Sequence, residues 1–274
     1  MLTRKTVWAG LTAGAIAVVL CTAAAAQTAD RLIDQAMVGS HRAEEHKARD
    51  KYRHPKETLL FFGLQPDMVA VEISPGRGWY TEILGPVLRD RGQLYVAVSA
   101  ITEKTPEALR QNDADYRGML AAAPNLYGKV RFSVISSASR QVAPPGSADL
   151  VLTFRNVHNW AKAGTAEAMF KAFFDALKSG GTLGVVEHRA RPDTSFQRQI
   201  DTGYMAEAYV VETAQKMGFK LVNKSEINAN PRDSKDYQGG VWTLPPTLRY
   251  GDQDREKYVA IGESDRMTLK FLKP

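Results

Sequence analysis

The chain has 274 residues, 44% of them hydrophobic and 24% charged, with 36 Lys and Arg against 30 Asp and Glu for a formal charge of +6. That composition excludes disordered, fibrous and multi-pass membrane classes, and the length suits one or two domains. The positive excess is spread along the chain, which favours solubility and argues against a nucleic-acid partner.

Arg4 and Lys5 precede an uncharged, mostly apolar stretch over 7–22, and Ala24, Ala25 and Ala26 put small side chains where a signal peptidase reads them. The pattern predicts a secretory leader over 1–26, cleaved after Ala26, because the stretch is shorter than the ~20 residues of a spanning helix; the alternative is a retained N-terminal anchor, against which the small-residue exit argues. Leu20 directly before Cys21 argues against lipoprotein processing. Cys21 is the only cysteine and leaves with the leader, so the mature chain has no disulfide, no thiolate nucleophile and no Cys metal site. The expected destination is the periplasm, with no stable membrane anchor after processing.

Residues 27–55 read as a polar helical segment without a strong apolar stripe, and as a candidate lid over the main domain at 56–274. Pro55 suits a first helical position, Glu57 the first turn, and Gly63 the stop. From Met68 strands and helices alternate. Strands are expected at 68–73, 93–98, 130–134, 150–154, 182–187, 220–224 and 267–272, and helices at 79–88, 106–123, 166–178 and 204–217. A polar insertion at 225–262 is expected to hold a small hairpin or turn around 240–243, and either shapes the substrate pocket or packs as a plain insertion. The alternation predicts a doubly wound, Rossmann-like α/β fold. Its seven-stranded, mostly parallel sheet has helices on both faces and an antiparallel last strand. Ligands of such sheets bind at the carboxyl edge, so the chemistry belongs after strands one, two, four and five.

The first of those turns reads Val-Glu-Ile-Ser-Pro-Gly-Arg-Gly-Trp over 71–79. Gly76 and Gly78 let backbone approach a ligand, and the helix that follows points its amides at the same place. Glu72 at the strand end is expected to face the ligand. A dinucleotide fingerprint would need a third glycine at Thr81, and no G-x-x-x-x-G-K-[ST] run occurs.

The run E-x-S-P-G-x-G resembles motif I of class I S-adenosylmethionine-dependent methyltransferases, with Ser74 in place of the first glycine. D-L-V-L-T-F-R-N-V-H-N-W (149–160) resembles their fourth-strand motif, and L-K-S-G-G-T-L-G-V-V-E-H-R-A (177–190) their Gly-Gly turn into strand five. Together with R-H-P-K-E-T-L-L-F-F-G-L and D-R-M-T-L-K-F-L-K-P, these runs resemble a family of exported bacterial proteins called predicted methyltransferases. The resemblance, over about residues 50–274, implies S-adenosylmethionine as cofactor, with Glu72, Ser74, Gly76 and Gly78 around its amino-acid end. Ser99 stands where the superfamily usually has the acid that holds the ribose, and Ser136 and Ser137 follow strand three. Arg155 is assigned to the cofactor side.

Methyl transfer needs a positioned nucleophile, and a general base where that nucleophile carries a proton. The candidates are His158 as base and Asn156, Glu187 and His188 as further catalytic residues, with Trp160 as an apolar wall and Tyr80 on the lid side. The alternative for His158 and Trp160 is capping and packing; for Glu187-His188-Arg189 it is a surface ion-pair cluster, Glu187 otherwise orienting His188 or Arg189 or meeting the substrate. His41, His46 and His54 are spaced by five and eight, not the three or four of a helical metal pair, so they read as solvated and no metal site is expected. The expected activity is methyl transfer to a small-molecule acceptor. The alternatives are a non-catalytic binding module for an adenosyl or other small organic ligand and, more weakly, a nicotinamide-dependent oxidoreductase.

Overall fold

The computed structural model describes residues 28–274; the leader read in 1–26 lies outside the described residues. The described chain opens in helix α1 (28–38). Then come α2 (Glu44–Lys47), α3 (Asp50–Arg53), α4 (Pro55–Phe62), β1 (Val69–Ile73), α5 (Thr81–Leu88), β2 (Gln93–Ser99), α6 (Glu107–Ala122), α7 (Pro124–Tyr127) and β3 (Arg131–Ile135). The second half runs β4 (Ala148–Phe154), α8 (Val157–Lys162), α9 (Ala166–Ala176), β5 (Leu177–His188), α10 (Phe196–Thr202), α11 (Glu207–Lys216), β6 (Lys220–Ser225), α12 (Arg255–Ile261) and β7 (Arg266–Leu272).

The seven strands form one sheet in the order β3-β2-β1-β4-β5-β7-β6. β7 runs antiparallel to both β5 and β6, and the other pairs are parallel. This is the architecture expected from the alternation. Side chains of adjacent strand residues face opposite sides, and the core divides accordingly. Val71, Ile73, Val151, Leu183 and Val185 join one buried cluster with α9 and α11. Ala70, Leu94, Val96, Leu150 and Leu152 join another with α1, α4 and α5. The strand order reverses between β1 and β4, so their carboxyl ends part and leave a crevice.

Local signals explain the helix ends. Pro55 opens α4 and Gly63 closes it at φ 87, a left-handed conformation that costs glycine little. Ala29, Ile33 and Ala36 are buried, Ile33 and Ala36 in one cluster with Leu59 and Phe62, so α1 does carry an apolar stripe, narrow because two of its residues are alanine. The expected helix 166–178 stops at Ala176, and β5 starts at Leu177 because Leu177 pairs with Ala148 of β4 and the Gly180 amide bonds Lys273 O at 2.8 Å. The expected helix 204–217 begins only at Glu207. Met205 is drawn into extended backbone by bonds to His188 O and from the Ala190 amide. A hairpin does not form at 240–243; Gly240–Thr243 is a single 3-10 turn. No helix among the described residues is long and apolar enough to cross a membrane.

Candidate active site

Two cavities meet at the crevice. The first, about 400 Å³, lies between the N-terminal segment (His46, Arg49, Arg53), the turns after β1 and β4, and the insertion at Val241, Trp242 and Pro245. The second, about 530 Å³, lies over the end of β2. Both are lined by Ser74, Pro75, Gly76, Asn156 and Asn159, so the glycine turn is the bridge between them. Of the two readings of the insertion, the structure favours the one that shapes the pocket.

The turn after β1 is bent as its sequence requires. Gly76 has φ +61 with nothing within 4 Å of an added Cβ, so its backbone is open to a ligand. Gly78 has φ +84, and a Cβ there would stand 2.7 Å from Met119 Cε. Ser74 adopts φ 50, a left-handed conformation that favours glycine, while its amide bonds Ala97 O at 2.8 Å.

Glu72 shares a face with Ala70, which directs it toward α5 and α6. Its Oε2 accepts from Thr81 Oγ1 at 2.6 Å, and Thr81 Oγ1 lies 3.1 Å from the Tyr116 hydroxyl. Thr81 therefore serves the carboxylate at the place where a dinucleotide fold would need glycine. Burial pushes the Glu72 carboxyl up to about 7, against the opposing effect of the Thr81 bond. No cation pairs with it among the described residues, yet it lines the first cavity.

The second cavity has an apolar lip. Ile101 and Leu109 line it and are 43% and 55% exposed, apolar surface that a ring system would cover. Ser99 and Trp160 line it as well. Asn112 and Asp113, on α6, supply polar groups that the sequence reading missed. Their signal was faint, because only the packing of α6 over β2 brings them to Ser99. Ser136 and Ser137 do not line either cavity.

His158 stands in the first turn of α8, 6% exposed, and lines the first cavity. Its Nδ1 lies 3.0 Å from Glu187 Oε1. Glu187 is fully buried and accepts from the Val157 amide at 2.6 Å and the His188 amide at 2.8 Å. The surface-cluster alternative is therefore wrong, and so is direct contact with substrate, since Glu187 does not line the cavity. Glu187 and His188 leave the end of β5 at successive positions and converge on His158: Glu187 orients its ring, while His188 places its own ring 5.5 Å away, lines the cavity and holds Ser264 Oγ at 2.6 Å through Nδ1. Burial and the neighbouring His158, Arg155, Arg266 and Arg53 hold His188 well below its usual range, so it is neutral at pH 7. Arg189 turns away to Asp265 and Glu226.

His158, Glu187 and His188 each bring a ligand atom within 4.8 Å of the others, the spacing of a metal group. Both Glu187 oxygens are already engaged by hydrogen bonds, and arginines crowd the same wall, which disfavours a divalent cation.

Asn156 proves to be a strap. Its side-chain amide donates to Ile73 O at 3.1 Å and lies 3.2 Å from Thr153 Oγ1, tying β4 to β1 beside both cavities. Its catalytic assignment gives way to a positioning one. Tyr80 stacks on Phe154 at 3.5 Å between centroids and also lines the first cavity, so core packing and site wall coincide. His41 and His46 are not solvated: His41 Nε2 lies 2.8 Å from Glu82 O and His46 Nδ1 3.0 Å from Glu82 Oε2. These contacts dock the N-terminal segment, whose Arg53 and His46 form the lid-side wall.

That wall carries charge the sequence reading did not assemble. Glu263 accepts from Arg49 Nε at 2.7 Å, Arg53 Nε at 3.0 Å and Arg266 Nη1 at 3.1 Å. Burial pushes its carboxyl up, but Arg53, Arg266, Arg49 and Arg155 outweigh this and hold it at about 2. Arg155 has φ 62, lines the first cavity, and is lowered to about 10 by burial.

No family model and no curated protein matches the sequence. Among solved structures, the chain is similar to a SAM-dependent methyltransferase from Aquifex aeolicus, at TM-score 0.52 and 13% identity over 83% of this chain and 93% of that one. It is similar to the [4+2]-cyclase SpnF at TM-score 0.57 and 16% identity, over 86% of each chain. It is also similar to phosphoethanolamine N-methyltransferase 2 of Haemonchus contortus, solved with S-adenosyl-L-methionine, at TM-score 0.51 and 15% identity over 81% of this chain and 53% of that one. The chain thus has the Rossmann-like fold of the class I SAM-dependent methyltransferases.

Proposed function

We propose that this protein is an exported methyltransferase that uses S-adenosylmethionine to methylate a small acceptor. The reading is carried by one observation: the Ser74–Gly76 turn joins the apolar-lipped second cavity to the first cavity, which holds the buried carboxyl of Glu72. The second cavity would take the adenosine, beside Ser99, Asp113, Ile101 and Leu109. Glu72 would meet the cationic amino-acid end, where an ammonium compensates a carboxylate that burial otherwise disfavours. When bound, the cofactor supplies an electrophilic methyl group. Export rests on the leader pattern at 1–26.

This chain's own residues would position the acceptor and hold its proton. An oxygen of Glu187 that already accepts the His188 amide takes His158 Nδ1–H as a further donor, which leaves Nε2 with a lone pair. His158 Nε2 would remove the acceptor's proton as the methyl group arrives. Tyr80, Phe154 and Trp242 would exclude water from the reacting atoms.

The alternative of a binding module without methyl transfer draws on Ser99, the missing ribose acid, and on the occurrence of this fold in a cyclase. Calorimetric titration with S-adenosylmethionine and S-adenosylhomocysteine, in wild type and Glu72→Ala, tests the reading. Micromolar binding lost in the variant is expected; no binding at millimolar cofactor would reject it.

A further inference from the structure

The lid-side wall of the first cavity holds more positive charge than its neighbours balance. Arg49, Arg53, Arg155 and Arg266 surround one carboxylate, Glu263. Arg53 is 2% exposed, and its Nη2 is buried with no hydrogen-bond partner; Arg49 Nη2 is in the same state. The Arg155 guanidinium has no hydrogen bond or ion pair among the described residues. Its only short backbone bond is from its amide to Val186 O at 2.7 Å. Arg49, Arg53 and Arg155 all line the cavity, together with the neutral His188. Unpartnered guanidinium N–H groups in a closed wall are costly unless an acceptor fills the space between them.

We infer that this wall is an anion site for the acceptor: the methylated molecule carries a carboxylate or phosphate group that Arg49, Arg53 and Arg155 hold while its nucleophile faces His158. The inference rests on the methyltransferase reading and names its substrate class. The cofactor's own carboxylate does not balance the site, because its sulfonium and ammonium bring two positive charges with it. A planar or tetrahedral oxyanion accepts several guanidinium bonds at once, which a neutral acceptor does not. Arg155 also keeps a left-handed backbone that Gly or Asn would hold at lower cost, the sort of strain retained where a side chain is needed at a fixed point.

Tryptophan fluorescence reads the site, since Trp79 and Trp242 line the cavity and Arg53 lies 4.7 Å from the Trp79 ring. The purified protein is titrated with inorganic phosphate and with propionate, each with and without saturating S-adenosylhomocysteine. The expected result is saturable binding of at least one anion that persists with S-adenosylhomocysteine present. Arg155→Asn, a residue that tolerates the left-handed backbone, is expected to weaken it at least tenfold, and Arg155→Lys to retain part of it. Anion binding abolished by S-adenosylhomocysteine would assign the guanidiniums to the cofactor's carboxylate and overturn the inference. So would no saturable binding of either anion, or unchanged binding in a folded Arg155→Asn. Arg155-dependent anion binding by a protein that never binds S-adenosylhomocysteine would leave the anion site standing and remove the methyltransferase reading.

Discussion

Glu187 and His158 sit on neighbouring elements, 29 positions apart in the chain, and meet at 3.0 Å in the interior. The carboxylate does not itself line the cavity, so it acts on the reacting space through the imidazole. Replacing His158 with Ala is expected to lower turnover by about 100-fold with cofactor affinity unchanged within threefold. Glu187→Gln is expected to lower turnover by about tenfold with cofactor affinity unchanged, because the imidazole loses the acceptor that fixes its ring and tautomer. A Glu187→Gln turnover equal to wild type would leave that carboxylate with a packing role only.

On the proposed reading, Glu72 makes cofactor binding pH-dependent. Its carboxyl is raised from 4.5 to about 7 in the empty fold, so it is largely protonated below pH 7 and ionises above. A cationic ligand selects the ionised form, so affinity for S-adenosylmethionine is expected to rise between pH 6 and pH 8, and Glu72→Gln to flatten that rise. The sign for stability is opposite. Below pH 4.5 the carboxyl is protonated in both folded and unfolded chains and has no effect; above that, ionisation favours the unfolded chain until pH passes about 7. Glu72→Gln is therefore expected to raise the melting temperature at pH 8, by up to about 3 kcal/mol of stability, and to leave it unchanged at pH 4.

Glu263 behaves in the reverse sense. Its carboxyl is depressed to about 2, so its contribution is fully present above pH 4.5 and lost as pH falls toward 2. Glu263→Gln leaves the guanidiniums of Arg49, Arg53 and Arg266 without their anion and is expected to cost about 3 kcal/mol at pH 7 in denaturant unfolding. The difference between variant and wild type shrinks toward pH 2.

Ser74 holds φ 50 without any side-chain hydrogen bond among the described residues. Ser74→Gly is expected to stabilise the fold by about 1 kcal/mol in denaturant unfolding, with cofactor affinity unchanged or improved.

Strand periodicity and the glycine turn made the sheet, Glu72 and the carboxyl-edge crevice legible in the sequence. His158 was legible for the same reason: the turn after β4 must lie on that edge. What stayed hidden depends on long-range packing. Arg53 and Glu263 lie 210 positions apart, and the ion network exists only because the N-terminal segment docks beside β7. Asp113 reaches the second cavity only through the angle of α6. Glu187 is visible as a strand-end acid, but its partner is not, because the choice between His188, Arg189 and His158 depends on where the first turn of α8 lies against the end of β5.

The most direct measurement is a crystal structure with S-adenosylhomocysteine bound. The account predicts adenine against Ile101 and Leu109, ribose hydroxyls at Ser99 or Asp113, and the amino group within hydrogen-bonding distance of Glu72. A nucleoside lying elsewhere, or a crevice left unchanged at saturating ligand, would contradict it.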